Sequence, residues 1–216
     1  MRTRWIAMSI ATEGDRARLL EAMLEELVEK GYGDVDVEGA LARAHLGGEG
    51  WAALFVDKDA CLIAAFDQLT GQLREAICEG CAAGDDWPGR VAGGLRALLT
   101  RLAARAQMAE ALARSFPSIG AAAQARYQAF VENLAPLLAE GRELPGMSGR
   151  LPDEVELLAV GAAEAIIFEQ IRAGRTADLG ALGPEILFSV LVPFIGPAVA
   201  SAAMEAERER GEAGSA

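Results

Sequence analysis

The amino-acid sequence predicts an all-α protein of 216 residues. Apolar residues recur at the three- and four-residue spacing of helices, and no segment shows the alternation of a half-buried strand. Capping residues and glycines mark the ends of many of these segments. Hydrophobic residues make up 52% of the chain, which is enough for a folded core. The net charge of −12 disfavours a protein that simply coats nucleic acid.

Three N-terminal helices precede a long one. The first predicted helix covers residues 15–30, has leucines on one face and glutamates on the other, and is closed by Gly31. Two short helices follow at 37–44 and about 49–54, and a long helix begins at the N-cap Asp57. This order of helices and turns is the layout of a helix-turn-helix DNA-binding unit.

The rest of the chain is also predicted to be helical. Pro136 is predicted to bend a long helix, and Gly174 to close the next one. We expect a helix-turn-helix domain over 1–60, a helical domain over 61–206 and a disordered tail over 207–216. The predicted helices of the second domain cover residues 57–81, 88–105, 108–116, 118–140, 153–173 and a stretch from about 184.

Residues 186–204 form an uncharged stretch of 19 residues, close to the ~20 that a membrane-spanning helix needs. Pro193, Gly196 and Pro197 interrupt it, and no basic cluster flanks it. We therefore expect a helix buried against a partner subunit and no membrane contact. The N-terminal apolar run is too short for a signal peptide, and three cysteines form no disulfide framework, so a cytoplasmic location is expected.

Several stretches resemble a known family in order and spacing over nearly the whole chain. In the N-terminal part they are RLLEA at 18–22, VEKGY at 28–32, VEGALARA at 37–44, FVDKD at 55–59 and CLIAAFD at 61–67. In the C-terminal part they are WPGRV at 87–91, LAPLL at 134–138, PEILF at 184–188 and PFIGP at 193–197. With these stretches the chain resembles the TetR/AcrR family of bacterial transcription regulators.

The resemblance implies a homodimer that acts as a ligand-responsive regulator. Each N-terminal unit would bind half of a palindromic operator with its third helix in the major groove. The C-terminal helices would enclose a ligand pocket and form the dimer interface. The implied mechanism is a repressor released from its operator by a small apolar molecule, with no cofactor.

The turn and the third helix depart from the family pattern. His45 stands where the family commonly has glycine, and Gly47 stands where it has a capping serine. Glu49 replaces a common basic residue, and Ala52 falls at a family tyrosine, whereas Lys58 is retained. The alternative is therefore a degenerate dimer that has lost specific DNA binding and acts as a ligand- or protein-binding module.

Candidate site residues follow from the motif, the resemblance and the apolar pattern. Residues 1–66 carry seven basic and twelve acidic side chains, so DNA binding requires the basic ones to cluster. The candidates for DNA binding are Arg2, Arg4, Arg16, Arg18, Arg43, Gly47, Gly48, Trp51 and Lys58. The candidates for ligand binding are Trp87, Leu99, Met108, Leu112, Phe116, Tyr127, Phe130, Glu164, Phe168 and Gln170. The candidates for the dimer interface are Leu157, Val160, Ile167, Phe188, Val192 and Phe194.

No pattern of residues predicts catalysis or a metal site. The sequence contains no phosphate-binding loop and no Ser/His/Asp set. Glu164 and Glu169 diverge by about 140° around a helix, so they do not face each other. With a single histidine, Cys78 and Cys81 do not complete a four-ligand zinc site. Two alternatives remain for this pair, which are free thiols and a redox-active pair one helical turn apart.

Overall fold

The structure is a computed structural model that describes residues 12–145 and 151–213. Within these residues the chain forms α-helices and 3-10 segments and no strand, which confirms the all-α prediction. The chain divides into two compact units, one ending at Gln68 and one beginning at Leu69. This division lies inside the fourth helix, as does the domain boundary predicted after residue 60.

The first unit is the three-helix bundle that the sequence predicts, completed by the start of the fourth helix. Thr12 and Asp15 form a reciprocal capping box at the beginning of the bundle, and this box extends the first helix beyond its predicted start. The elements are α1 (Glu13–Lys30), a 3-10 turn (Tyr32–Asp34), α2 (Val37–Ala44), α3 (Gly48–Leu54) and α4 (Lys58–Ala82).

The core of the first unit comes from α1, α2 and the first turns of α4. Its buried apolar side chains include Leu19, Leu20, Met23, Leu24, Leu27, Ala40, Leu41, Cys61, Leu62 and Ala65. The third helix contributes no buried residue. It therefore lies at the surface of the unit, held by its ends and by the half-buried side of the helix.

The second unit consists of the remaining helices and two 3-10 segments. Asp86 caps the first of these helices with a 2.8 Å bond from the Gly89 amide to its carboxylate. The elements are α5 (Trp87–Ala104), α6 (Ala106–Ile119), α7 (Ala121–Glu132), a 3-10 segment (Ala135–Glu143), α8 (Val155–Arg172), a 3-10 segment (Thr176–Leu182) and α9 (Gly183–Ala213).

Three predicted boundaries in this unit are wrong. Pro117 lies inside α6, and the chain breaks instead at Gly120, whose φ of 101° favours glycine. Pro136 does not bend a long helix, because α7 has already ended and the proline begins a 3-10 segment. The tail predicted from residue 207 is helical through Ala213.

The last helix contains the long apolar stretch. Within the described residues it is the only helix long and apolar enough to cross a membrane by length and composition. Its backbone is interrupted at Gly196, where φ is 72°. One side of its first half is buried in the core of the second unit, so part of the stretch packs within its own chain. The buried residues are Ile186, Leu187, Val190, Leu191 and Phe194.

Candidate nucleic-acid interface

A left-handed residue forms the turn between α2 and α3. His45 adopts φ 56° and ψ 42°, a conformation that the family glycine would adopt without strain. Its amide donates to the Ala42 carbonyl at 3.2 Å, and the Leu46 amide donates to the Leu41 carbonyl at 2.9 Å. These two bonds form a Schellman motif that ends α2 and directs the chain into α3. The helix-turn-helix geometry is thus retained with histidine at the turn.

The side chains of α3 separate into two faces. Gly48, Glu49, Ala52 and Ala53 are exposed, and at 100° per residue they share one arc of the helix. The half-buried residues Gly50, Trp51 and Leu54 occupy the opposite arc. The exposed face therefore carries small side chains, and Glu49 is its one long side chain. Trp51, which the sequence assigned to DNA, lies on the other side.

Aromatic contacts hold the end of α3 in place. The rings of Trp51 and Phe55 are 5.7 Å apart, and the Arg16 guanidinium lies 5.7 Å from the centre of the Phe55 ring. Arg16 belongs to α1, so this cation–π contact ties the first helix to the residue that follows α3. Arg16 and Trp51 thus position the third helix.

The retained lysine is anchored at the start of α4. Lys58 Nζ donates a 3.0 Å bond to the Tyr32 carbonyl and lies 4.4 Å from the centre of the Tyr32 ring. The Tyr32 hydroxyl donates to Asp59 at 2.9 Å, and this bond raises the pKa of Tyr32. One of the three ammonium donors is used in the bond to the carbonyl, so the others remain for a phosphate.

Two other cations of the first unit are neutralised by α1. Arg43 pairs with Glu26 at 3.0 Å, with Glu25 at 3.6 Å and with Glu29. Lys30 lies 2.6 Å from the Glu26 carboxylate. The bonds from Lys30 first and Arg43 next lower the pKa of Glu26, against the opposing effect of burial. Arg43 therefore joins α2 to α1, and its charge is already compensated.

Arg18 is the remaining basic candidate within the described residues. Its Nε donates to the Ala44 carbonyl at 3.3 Å, and its Nη2 donates to Asp15 at 2.5 Å. The side chain is still 54% exposed, which leaves it accessible beside the turn. Arg2 and Arg4 lie outside the described residues. The predicted basic cluster is therefore reduced, in the described part, to Arg18 and Lys58 at the surface.

Some of the predicted ligand-binding residues meet in an aromatic cluster of the second unit. The Tyr127 ring lies 6.2 Å from Phe116 and 5.8 Å from Phe168, centre to centre. Its hydroxyl donates to the Glu164 carboxylate. Burial, followed by that hydrogen bond, raises the pKa of Tyr127 far above its usual value. The cluster combines apolar rings with one carboxylate.

The other predicted ligand residues lie elsewhere or are buried in packing. Trp87 packs on Phe194 at 5.1 Å between ring centres, and Gln170 accepts a 2.7 Å bond from Arg175. Leu99, Met108 and Leu112 are buried, and Phe130 is half-buried. Leu99 also borders a small cavity that is lined by three polar residues, Arg96, Thr100 and Glu207. None of these three was among the residues predicted to bind a ligand. Because Arg96 and Thr100 lie on α5 and Glu207 lies on α9, more than 100 residues later, no local pattern brings the three together.

The predicted dimer residues are divided between the core and the surface. Phe194 is 0% exposed, and Val160 and Ile167 are buried in the same core, so these three predictions are wrong for a surface contact. Leu157, Phe188 and Val192 are half-buried. Two other large apolar side chains nearby in sequence are exposed, Leu158 at 65% and Val199 at 53%.

The cysteines are free thiols in this structure. Burial raises the pKa of Cys61 to about 12, and burial also raises the pKa of Cys81. Both thiols are therefore weak nucleophiles at neutral pH. Cys78 is exposed.

No family model matches the chain, and no curated protein matches it. Solved structures do match the chain, two TetR-family regulators among them. One is a TetR family transcription regulator from Marinobacter aquaeolei VT8, with a TM-score of 0.57, 18% identity, and coverage of 90% of this chain and 94% of that one. The other, from Syntrophomonas wolfei, is described as a TetR-family transcriptional regulator, with a TM-score of 0.55, 19% identity, and coverage of 78% and 94%. At this level of identity the likeness shows the TetR-type fold.

Proposed function

We propose that this chain is a TetR-type transcription regulator that binds double-stranded operator DNA as a homodimer. The observation that carries the proposal is the helix-turn-helix unit, in which α3 lies at the surface and contributes no buried residue. A helix that the core does not need, presented after a fixed turn, is suited to insertion into the major groove.

Basic side chains beside α3 support the proposal. Lys58 lies at the start of α4, shortly after α3, and Arg18 lies beside the turn that precedes α3. In a major-groove complex these positions flank the groove, where phosphate contacts fix the register of a protein on DNA. The acidic side chains of α1 are partly compensated by Arg43 and Lys30, which lowers their repulsion of phosphates.

A second candidate function is a dimer that binds a ligand or a protein without specific DNA recognition. The observation that favours it is the charge of α3, whose single ionisable side chain is the exposed Glu49. A carboxylate near phosphates weakens the non-specific attraction on which DNA affinity depends.

We further propose that a small molecule is bound in the second unit at the aromatic cluster of Phe116, Tyr127 and Phe168, and that it controls the DNA-binding state. The rings provide an apolar surface, and Glu164 supplies one polar group that can fix orientation. The regulatory effect would follow from a higher affinity of the ligand for the DNA-incompetent conformation. With this coupling the protein acts as a repressor.

The experiment that tests the DNA-binding proposal is selection of duplexes from a randomised library by the full chain at low salt. We expect enrichment of a palindrome whose half-sites are about 10 base pairs apart or a multiple of that distance, because a two-fold dimer presents two recognition helices. Enrichment should fall as the salt concentration rises. A folded preparation that enriches no sequence would contradict the proposal and favour the second candidate function.

A further inference from the structure

The exposed face of α3 has an unusual chemical composition for a DNA-reading surface. Its members are Gly48, Glu49, Ala52 and Ala53, and the half-buried face adds Gly50, Trp51 and Leu54. The helix therefore has no arginine or lysine to make paired bonds to guanine, and no asparagine or glutamine to make them to adenine. The only hydrogen-bonding side chain on the exposed face is a carboxylate, which accepts hydrogen bonds and donates none.

Each of these groups has a match among the pyrimidine edges of the major groove. Cytosine presents an amino group that can donate to Glu49, and thymine presents a methyl group that can pack on the methyl groups of Ala52 and Ala53. Guanine presents two acceptors, N7 and O6, which repel a carboxylate, and adenine presents its amino donor directly beside the N7 acceptor, so the carboxylate is matched there less well than at cytosine. We propose that α3 distinguishes operators through pyrimidine edges, with Glu49 reading cytosine and the two alanines reading thymine methyl groups. This inference rests on the proposed DNA-binding function.

The shape of the helix agrees with such short contacts. A methyl side chain reaches a thymine methyl group only if the backbone of the helix comes close to the base edges. Gly47 and Gly48 lie at the N-terminal end of the helix, and a Cβ added at either one would meet no other atom within 4 Å. At these two positions no side chain holds the backbone away from the groove. Trp51, the bulkiest residue of the helix, lies on the side away from the exposed arc and contacts Phe55.

The charge of Glu49 fits a role in selectivity. In a groove lined by phosphates an unpaired carboxylate lowers affinity for every sequence, whereas one that accepts a cytosine amino hydrogen regains part of that loss at the matching site. Glu49 therefore acts mainly by lowering the affinity for non-matching sites.

The test uses duplexes selected by the full chain from a randomised library at low salt. The selected duplex is synthesised again with deoxyuridine in place of thymidine, which removes only the methyl groups, and affinities are measured by fluorescence anisotropy. We expect the wild-type protein to bind about fourfold more weakly for each contacted methyl group lost. An equal affinity for the two duplexes would overturn the assignment of Ala52 and Ala53.

The carboxylate is tested by repeating the selection with Glu49→Gln. A glutamine offers the paired donor and acceptor that adenine matches, so the preference at one position of each half-site should change from C·G to A·T by about tenfold or more. Glu79→Gln removes the same charge from an exposed position of α4 and should leave the preference unchanged. An unchanged preference in Glu49→Gln would overturn the role of Glu49. If neither protein binds any duplex, the proposed DNA-binding function itself is contradicted.

Discussion

The Arg43 guanidinium on α2 donates a 3.0 Å hydrogen bond from Nε to Oε1 of Glu26, a carboxylate that is 2% exposed in α1. Glu25 and Glu29 also pair with the guanidinium, and Lys30 pairs with Glu26. An arginine that the sequence assigned to DNA thus joins two helices of the bundle. Because its charge is compensated by these carboxylates, Arg43 attracts a phosphate less than an unpaired arginine would.

We predict that Arg43→Met lowers the free energy of unfolding at neutral pH and makes this free energy less dependent on pH in the acid range. In the folded state the hydrogen bond from Lys30 lowers the pKa of Glu26 most, and the bond from Arg43 lowers it further, whereas burial opposes both. The ionised Glu26 therefore contributes stability above the unfolded pKa of about 4.5, and this contribution is lost as the pH falls through the lower folded pKa. Removing Arg43 raises the folded pKa of Glu26 toward its unfolded value, so less stability is lost on acidification.

The measurement is the free energy of unfolding by urea at pH 7 and at pH 4. Arg101→Met serves as the control, because Arg101 is exposed on α5. The wild type and the control should lose stability between these two pH values by the same amount, and Arg43→Met should lose less. Equal losses in all three proteins would show that Arg43 does not stabilise the ionised Glu26.

The turn residue gives a second prediction. His45 has a φ of 56°, which is disfavoured for a residue with a Cβ and free of strain for glycine. His45→Gly should therefore raise the free energy of unfolding by about 0.5–1 kcal/mol in urea titrations. His45→Ala keeps a Cβ and should give no such gain. A glycine variant no more stable than the alanine variant would mean that the histidine is not strained in this turn.

A third prediction concerns the close approach of α4 and α5. A Cβ on Gly93 would come within 2.2 Å of the Gly80 carbonyl oxygen, so the two helices would have to separate. Gly93→Ala should lower the free energy of unfolding by about 1–3 kcal/mol. Gly71→Ala is the matched control, because its Cβ would meet no atom within 4 Å in an exposed turn of α4, and it should stabilise the helix by up to about 1 kcal/mol. A neutral Gly93→Ala would contradict this close packing.

The sequence predicted the helices of the first unit well because their end signals are local. Asp36, for example, caps α2 with a 3.0 Å bond from the Glu38 amide. The prediction failed around Pro117, because a proline can lie within a helix and the chain breaks only where Gly120 adopts a positive φ. The residues of the site were harder to predict. Whether Arg43 contacts solvent or Glu26, and whether Phe194 lies in the core or at the surface, depends on contacts between elements distant in sequence.

The fourth prediction is that an exposed apolar residue of α8 forms part of the proposed dimer interface. Leu158 is 65% exposed on α8, and in the homodimer proposed above this side chain would be covered by the partner. Leu158→Glu places a charge there and should shift the protein from dimer to monomer in sedimentation equilibrium, because an unpaired charge in an apolar interface is unfavourable. Gln72→Glu adds a charge at an exposed position of α4 and should leave the dimer intact. A dimer of undiminished stability in Leu158→Glu would exclude this residue from the interface.

The most direct test of the central claim is the salt dependence of binding to a selected duplex. The logarithm of the association constant should fall linearly with the logarithm of the salt concentration, and Lys58→Ala should reduce the magnitude of the slope by about 0.9 for each Lys58 that contacts a phosphate. Arg43→Met should keep the wild-type slope, because its charge is already paired within the fold. A wild-type protein that binds no duplex at low salt would contradict DNA binding by this helix-turn-helix unit, and a slope that Lys58→Ala leaves unchanged would exclude Lys58 from the phosphate contacts.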